Sequence, residues 1–229
     1  MGLFSRIFAK TKQAETHHDE PKCTAVIPLY MYPATEETYE PLHAAGPGAP
    51  PWWPDPNYVR EVPRLNAYQN VTTLGYVRIG YCKRPREEVL EDIRAYGRWA
   101  ADETNTGLFV RGIFFDETPN DYSKPAATYL QEINHEVRIA VGVKGSRLVM
   151  HNPGTLPDDE LTAACRPDVT AVCEESLDKY RSHNVQQKAA LETRPRAQCC
   201  MILHTLPQRQ IPELVQEMSQ NAAYDIHQC

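Results

Sequence analysis

No apolar run in this 229-residue chain reaches the roughly 18 residues that a membrane-crossing helix needs. A stable membrane span is therefore not expected. The chain has no cluster of lysine and arginine interleaved with aromatics, and its net charge is −6, which argues against a nucleic-acid partner. Its seven cysteines (23, 82, 165, 173, 199, 200 and 229) contain no CxxC pair and are odd in number. Zinc-site spacing is thus missing, and a disulfide framework is not expected. Cys199 and Cys200 lie in the apolar run QCCMILHT and read as core rather than redox groups. Glycine is ordinary at 11 residues and forms no phosphate-cradling fingerprint. No cofactor is expected.

Proline is plentiful, at 19 residues, and implies stiff connections. The first residues, MGLFSRIFAKTKQ, set Leu3, Phe4, Ile7 and Phe8 on one helical face beside Arg6, Lys10 and Lys12. The patch is too short and interrupted for a secretory core, and Arg6 breaks the myristoylation pattern. Residues 1–22 read as a disordered or amphipathic tail, a weak membrane-surface helix and a mitochondrial presequence being the alternatives. As written, the chain reads as cytoplasmic. The HHDE at 17–20 reads as solvated polar tail rather than a metal site, so no metal is expected.

From residue 24 onward, short apolar runs alternate with helical patterns. Runs 24–32, 71–77, 107–115, 147–152, 168–173 and 198–205, with a weaker one at 222–227, are nearly continuously apolar. Parallel strands covered on both faces have this signature. Between them, residues 84–102 place Val89, Leu90, Ile93 and Trp99 at helical spacing, with Pro85, Glu87 and Glu88 at the start. Residues 125–143 and 207–220 repeat the design. Strand–helix alternation without a glycine fingerprint predicts an α/β fold of the (β/α) TIM-barrel type, with residues 23–229 as a single domain.

Chemistry in such a barrel gathers at the C-terminal ends of its strands. Those ends carry Tyr30 and Tyr32; Tyr76 and Arg78, followed by Tyr81; Asp116 and Glu117; His151 and Asn152; and Glu174 and Glu175. Carboxylates from two strands with tyrosines between them suit a sugar-cleaving cleft, one acting as acid and the other as nucleophile or base, with aromatic faces stacking on sugar rings. The plainer alternative is that each carboxylate caps the helix that follows it. The residues alone leave the two readings balanced.

The motifs IPLYMYP (27–33), GPGAPPWWPDPNYVREVPRLN (46–66), VTTLGYVRIGYCKRP (71–85), GIFFDETP (112–119), HNPGT (151–155) and VCEES (172–176) resemble the spherulin 4-like, or spherulation-specific, family. The resemblance spans nearly all of 24–205. It implies a (β/α)8 barrel related to microbial glycoside hydrolases, whose characterised relatives, often secreted or at the cell surface, cleave polysaccharide at α-1,4-linked N-acetylgalactosamine. It also implies that Asp116, Glu117 and Glu174 are catalytic. Glu117 is then the candidate acid/base, Glu174 the second carboxylate and Asp116 the group that tunes them; exchanging the roles of Asp116 and Glu117 stays open. Tyr30, Tyr32, Tyr76, Tyr81 and Asn152 would line the sugar subsite. Trp52 and Trp53 are either a stacking platform or half-core.

Two departures from that pattern stand out. Between the first strand and Gly46-Pro47-Gly48 the residues ATEETYEPLHAA supply half a helix and no second strand, and the text ends where a last helix would follow. A vacant strand position leaves ladder groups bare on its neighbours, which predicts a marginal fold and impaired turnover. A catalytically inactive carbohydrate-binding or cell-surface protein, and an intracellular remnant without a sugar role, are the competing functions.

Overall fold

The computed structural model of the chain describes residues 24–26, 53–54, 56–101, 103–182 and 194–228. Among them, seven parallel strands form one sheet: β1 (Thr24–Ala25), β2 (Gly75–Arg78), β3 (Gly112–Asp116), β4 (Leu148–Asn152), β5 (Val169–Ser176), β6 (Cys199–His204) and β7 (Tyr224–Gln228). Their order is β1-β7-β6-β5-β4-β3-β2. From β2 to β7 every step moves one place in the same direction, and the last strand returns to pair with the first. A doubly wound sheet would reverse direction partway. This is the winding of a (β/α) barrel, as the alternating pattern predicts. Among the described residues the wall stays open between β1 and β2, the interval where the sequence lacks a recognisable strand. Residues 1–23 and 27–52, including Tyr30, Tyr32, Trp52 and the junction at Gly46, lie outside the described residues.

The helices are α1 (Pro56–Asn66), α2 (Arg86–Trp99), α3 (Lys124–Ile139), α4 (Asp159–Cys165), α5 (Leu177–Arg181) and α6 (Ile211–Met218). α2 begins after Pro85 with Glu87 and Glu88 in its first turn, where carboxylates complement the helix dipole. α3 is capped by Ser123, whose hydroxyl accepts the Ala126 N–H at 3.2 Å. α1 is a helix that the proline-rich stretch conceals. Its last residue, Asn66, donates through Nδ2 to the carbonyls of Gly107 and Phe109, both at 2.8 Å. It also accepts the Thr73 hydroxyl at 2.9 Å, tying the approaches to β2 and β3 together.

Strand alternation divides the core into two layers. Val77, Ile113, Phe115 and Val149 face outward and pack against Val89, Ile93, Tyr96 and Trp99 of α2 and Leu130, Ile133 and Val137 of α3. Met201 and Leu203 pack likewise against Leu214 and Met218 of α6. The alternate residues Met150, Val169, Ala171, Cys200 and Ile202 form a separate inner cluster with Phe114, Leu148 and Tyr224. Burial on both faces explains why the strands read as continuous apolar runs. Cys199 and Cys200 are buried on opposite faces, as core residues.

At the open edge, the structure departs from the bare ladder groups expected there. Thr73 accepts the Arg111 N–H at 2.7 Å and the Ile79 N–H donates to the Asp116 carbonyl at 3.0 Å, so odd-numbered residues of this strand direct their backbone groups toward β3. Tyr76 therefore turns its own N–H and C=O to the open side. The buried Tyr96 hydroxyl accepts the first and donates to the second, both at 3.1 Å. Arg84 Nη1 donates to the Arg78 carbonyl at 3.1 Å. The Tyr96 ring reaches this edge because position 75 is glycine; a Cβ there would fall 2.7 Å from the ring.

Tyr96→Phe removes one hydroxyl and leaves two backbone groups without it. We expect a loss of about 1–2 kcal/mol in urea unfolding, from the desolvation of those groups. A loss below about 0.5 kcal/mol would mean that water caps the edge equally well.

Candidate active site

Asp116 is the last residue of β3 and shares its inner face with Phe114. Its Oδ2 accepts the Tyr76 hydroxyl at 2.7 Å. Oδ1 accepts the Glu117 backbone N–H and Asn152 Nδ2, each at 2.9 Å. Tyr76, on the inner face of β2, stacks on Phe114 with ring centroids 6.2 Å apart. Burial first, and then the hydrogen bond to Asp116, push the Tyr76 phenol well above its ordinary range, so it serves as a donor.

Asn152 ends β4 in register with Asp116 and is 5% exposed. Its Oδ1 accepts the Gly154 N–H at 3.0 Å, which fixes the amide orientation. Nδ2 then has both protons engaged, one on Asp116 and one on Glu174 Oε2 at 2.8 Å. A single nitrogen within bonding distance of both oxygens caps their separation at about 5.7 Å.

Glu174 reaches this position through a bulge. Ala171 pairs with Cys200 and Cys173 with Met201, leaving Val172 without a register partner. Val172 and Cys173 both pack in the outer layer, and Glu174 falls beside the inner residue Ile202. Unbroken alternation from Ala171 would have sent Cys173 inward and Glu174 outward. One extra residue turns the carboxylate to the inner face, within reach of Asn152. The Glu174 N–H also donates to the Gly154 carbonyl at 2.9 Å, so the loop after β4 holds both Asn152 and Glu174.

Glu117 arrives by a different route. Alternation would place it opposite Asp116, but its φ is +54°, a left-handed conformation that is strained for a glutamate. The turn brings Glu117 Oε1 to 2.9 Å from Arg78 Nε. Its Oε2 is buried and has no hydrogen-bond partner among the described residues. The facing loop is strained as well: Gly80, Tyr81 and Cys82 have φ of +58°, +54° and +62°. It is pinned by the Tyr81 N–H donating to the Glu117 carbonyl at 2.6 Å. Tyr81 itself is 54% exposed.

Asp116, Glu117, Glu174, Asn152 and Tyr76 thus converge, with Tyr81 at the rim. Trp53 is instead packed against the helix-side core, the half-core alternative. His151 and Glu175 also leave the rim. Glu175 pairs with Lys179 at 2.9 Å, and His151 meets Asn134 of α3 and the outer-layer Phe115. Arg78, visible in the sequence only as a strand-end cation, is the partner of Glu117. Among the described residues no group of three or more His, Cys, Asp or Glu is placed to hold a metal.

Residues 24–227 match the family model described as spherulation-specific family 4 (Spherulin4). The chain belongs to this family. The crystal structure of Aspergillus clavatus Sph3 in complex with GalNAc is similar to it, at 35% sequence identity and a TM-score of 0.71, covering 78% of this chain and 72% of that one. No curated protein sequence matches. The Spherulin4 match extends on both sides of the interval where no second strand is recognised, and it includes all five convergent residues.

His151, next to Asn152, gives this site a pH-sensitive foundation. Its Nε2 lies 2.8 Å from Asn134 Oδ1, and Asn134 Nδ2 donates to the Cys165 carbonyl at 3.0 Å, so the imidazole is the neutral Nε2–H tautomer. Burial lowers its pKa to about 3, against a smaller opposing pull from Asp168. The unfolded chain takes up this proton near pH 6.5. Stability is therefore full above pH 6.5 and falls as pH drops toward about 3, by up to about 1.4 kcal/mol per pH unit from this group. Urea unfolding between pH 6.5 and 5 should show that slope, above the range where carboxylates titrate. His151→Gln should flatten it, and an unchanged slope in that variant would place the acid sensitivity elsewhere.

Proposed function

We propose that this Spherulin4 protein is a glycoside hydrolase acting on polysaccharide that contains N-acetylgalactosamine, joined by the α-1,4 linkage its family resemblance implies. The observation that carries the proposal is the Asn152 amide, which holds carboxylates from β3 and β5 at one short separation. Helix capping does not account for this arrangement: Asp116 turns to Tyr76 and Asn152, and Glu174 to Asn152, rather than to the helices that follow. The similarity to a structure holding GalNAc supports the choice of sugar.

Roles follow from the donors each carboxylate has engaged. Asp116 receives three hydrogen bonds and is the best-held group, suited to bracing and orienting the other two. Glu117 Oε2 has no donor, and Glu174 receives one donor on Oε2, with none seen on Oε1 among the described residues. Glu117 is then the acid that protonates the glycosidic oxygen and afterwards takes a proton from water. Glu174 is the carboxylate that supports or attacks the anomeric carbon. Tyr76 and Tyr81 offer ring faces to the sugar. One observation favours a second assignment. The Asp116 Oδ1 and Glu174 Oε2 atoms lie no more than about 5.7 Å apart, a ceiling that admits the spacing of about 5–5.5 Å at which retaining glycosidases hold their acid and nucleophile. There Asp116 and Glu174 react, and Glu117 with Arg78 shapes the field around them.

The deciding experiment is release of reducing ends from α-1,4-linked N-acetylgalactosamine polymer. Glu117→Gln and Glu174→Gln should each lower turnover by about 10²–10⁴-fold without changing the melting temperature. An aryl glycoside whose leaving group needs no proton should restore bond cleavage to the acid variant alone, so rescue of Asp116→Asn in place of Glu117→Gln selects the second assignment. Wild-type protein that binds the polymer without cleaving it would overturn the hydrolase reading and leave a carbohydrate-binding protein.

A further inference from the structure

We infer that His204 belongs to the same cleft and recognises the N-acetyl group of the sugar. The inference rests on the hydrolase reading above and assigns that site a specificity residue. His204 is the last residue of β6. Cys200 and Ile202, two and four positions before it, belong to the inner cluster, so alternation turns His204 inward as well. Glu174 is in register with Ile202, and His204 lies one inward-facing position nearer the rim on the adjacent strand. Strand spacing and rise put the two Cα atoms about 8 Å apart, a span that one sugar ring bridges.

The backbone beyond His204 is strained to hold it. Thr205 has a φ of +60°, a left-handed conformation in which a β-branched residue is a genuine outlier. In that conformation its hydroxyl lies 2.9 Å from His204 Nδ1. With Nδ1 occupied by the threonine hydroxyl, Nε2 is left for the cleft; the half-buried ring shows no Nε2 partner among the described residues.

A count of donors gives Nε2 its task. An acetamido carbonyl can only accept, so ionised carboxylates cannot bind it. Asn152 spends both Nδ2 protons on Asp116 and Glu174. The Tyr76 hydroxyl is given to Asp116, and Arg78, three strands away from Glu174, is turned onto Glu117. Among the described residues, His204 is a side-chain donor on the Glu174 side of the cleft that no carboxylate has taken. With the Thr205 hydroxyl donating to Nδ1, the arrangement this inference requires, the ring proton sits on Nε2 and is placed for the acetamido oxygen, while sugar hydroxyls have carboxylates to accept them. Thr205 acts through His204 as a positioning residue.

Binding is measured in a Glu117→Gln background, where the ligand survives, by titration with an α-1,4-linked N-acetylgalactosamine tetramer and with the corresponding galactose tetramer. His204→Ala should weaken the N-acetylated ligand about tenfold, the worth of one good hydrogen bond, and leave the galactose ligand unchanged. His204→Gln, which keeps a donor, should retain most of the preference. Thr205→Gly should reduce it severalfold without lowering the melting temperature, because glycine is at ease at this φ. Equal losses on both ligands, or no loss on either, overturn the assignment while the hydrolase reading stands. Failure of the parent to bind either ligand overturns both.

Discussion

The site depends on one side-chain amide with no spare valence. Asn152 has two protons and two carboxylates to give them to, and its carbonyl oxygen is held by the Gly154 N–H. Aspartate here would set three carboxylates against each other, and leucine would leave two acceptors facing an apolar wall. The amide joins β3, β4 and β5 above the inner core, so the carboxylate spacing is a property of the barrel wall rather than of a loop.

Around the amide, irregular backbone supplies what regular strands cannot. A strand offers the cleft every second residue, and its rim position is spent on Asp116. Glu117 joins through a left-handed turn, Glu174 through a bulge and Tyr81 through a left-handed loop. Each such non-glycine residue costs about 1–2 kcal/mol. The inner and outer clusters, with Phe115, Met150, Met201 and Leu203 fully buried, offset that cost. Left-handed residues also occur at Arg147 and Arg166, away from this rim, so strain marks the cleft only in combination with the carboxylates it brings there.

Period and type made much of the architecture legible. Strands buried on both faces announce themselves as apolar runs, α2 carries a proline and acidic start signal, and α3 a proline one. α1 was hidden because Pro56 and Pro63 read as loop, although one begins the helix and the other lies within it. Among site residues, Asp116 and Asn152 follow from strand parity. Glu174 does not: Val172 and Cys173 carry neither glycine nor proline to announce the bulge, and parity alone sends the carboxylate outward. The strand end lists it beside Glu175, and the family resemblance selects it, recording the outcome of the bulge without its cause. His151 and Glu175 show the reverse error, since listing strand ends without parity admits residues that face the helices.

Among the described residues, the open side of β2 is finished by a phenol and a guanidinium. Tyr96 holds both backbone groups of Tyr76, and Arg84 holds the carbonyl of Arg78. Any extended segment approaching that edge, whether from elsewhere in this chain or from another molecule, has to displace a buried hydroxyl whose ring is wedged over Gly75 before it can form its first ladder bond. The lip of the barrel is thereby a poor template for polymerisation, and a strand added there by engineering meets a competitor already seated.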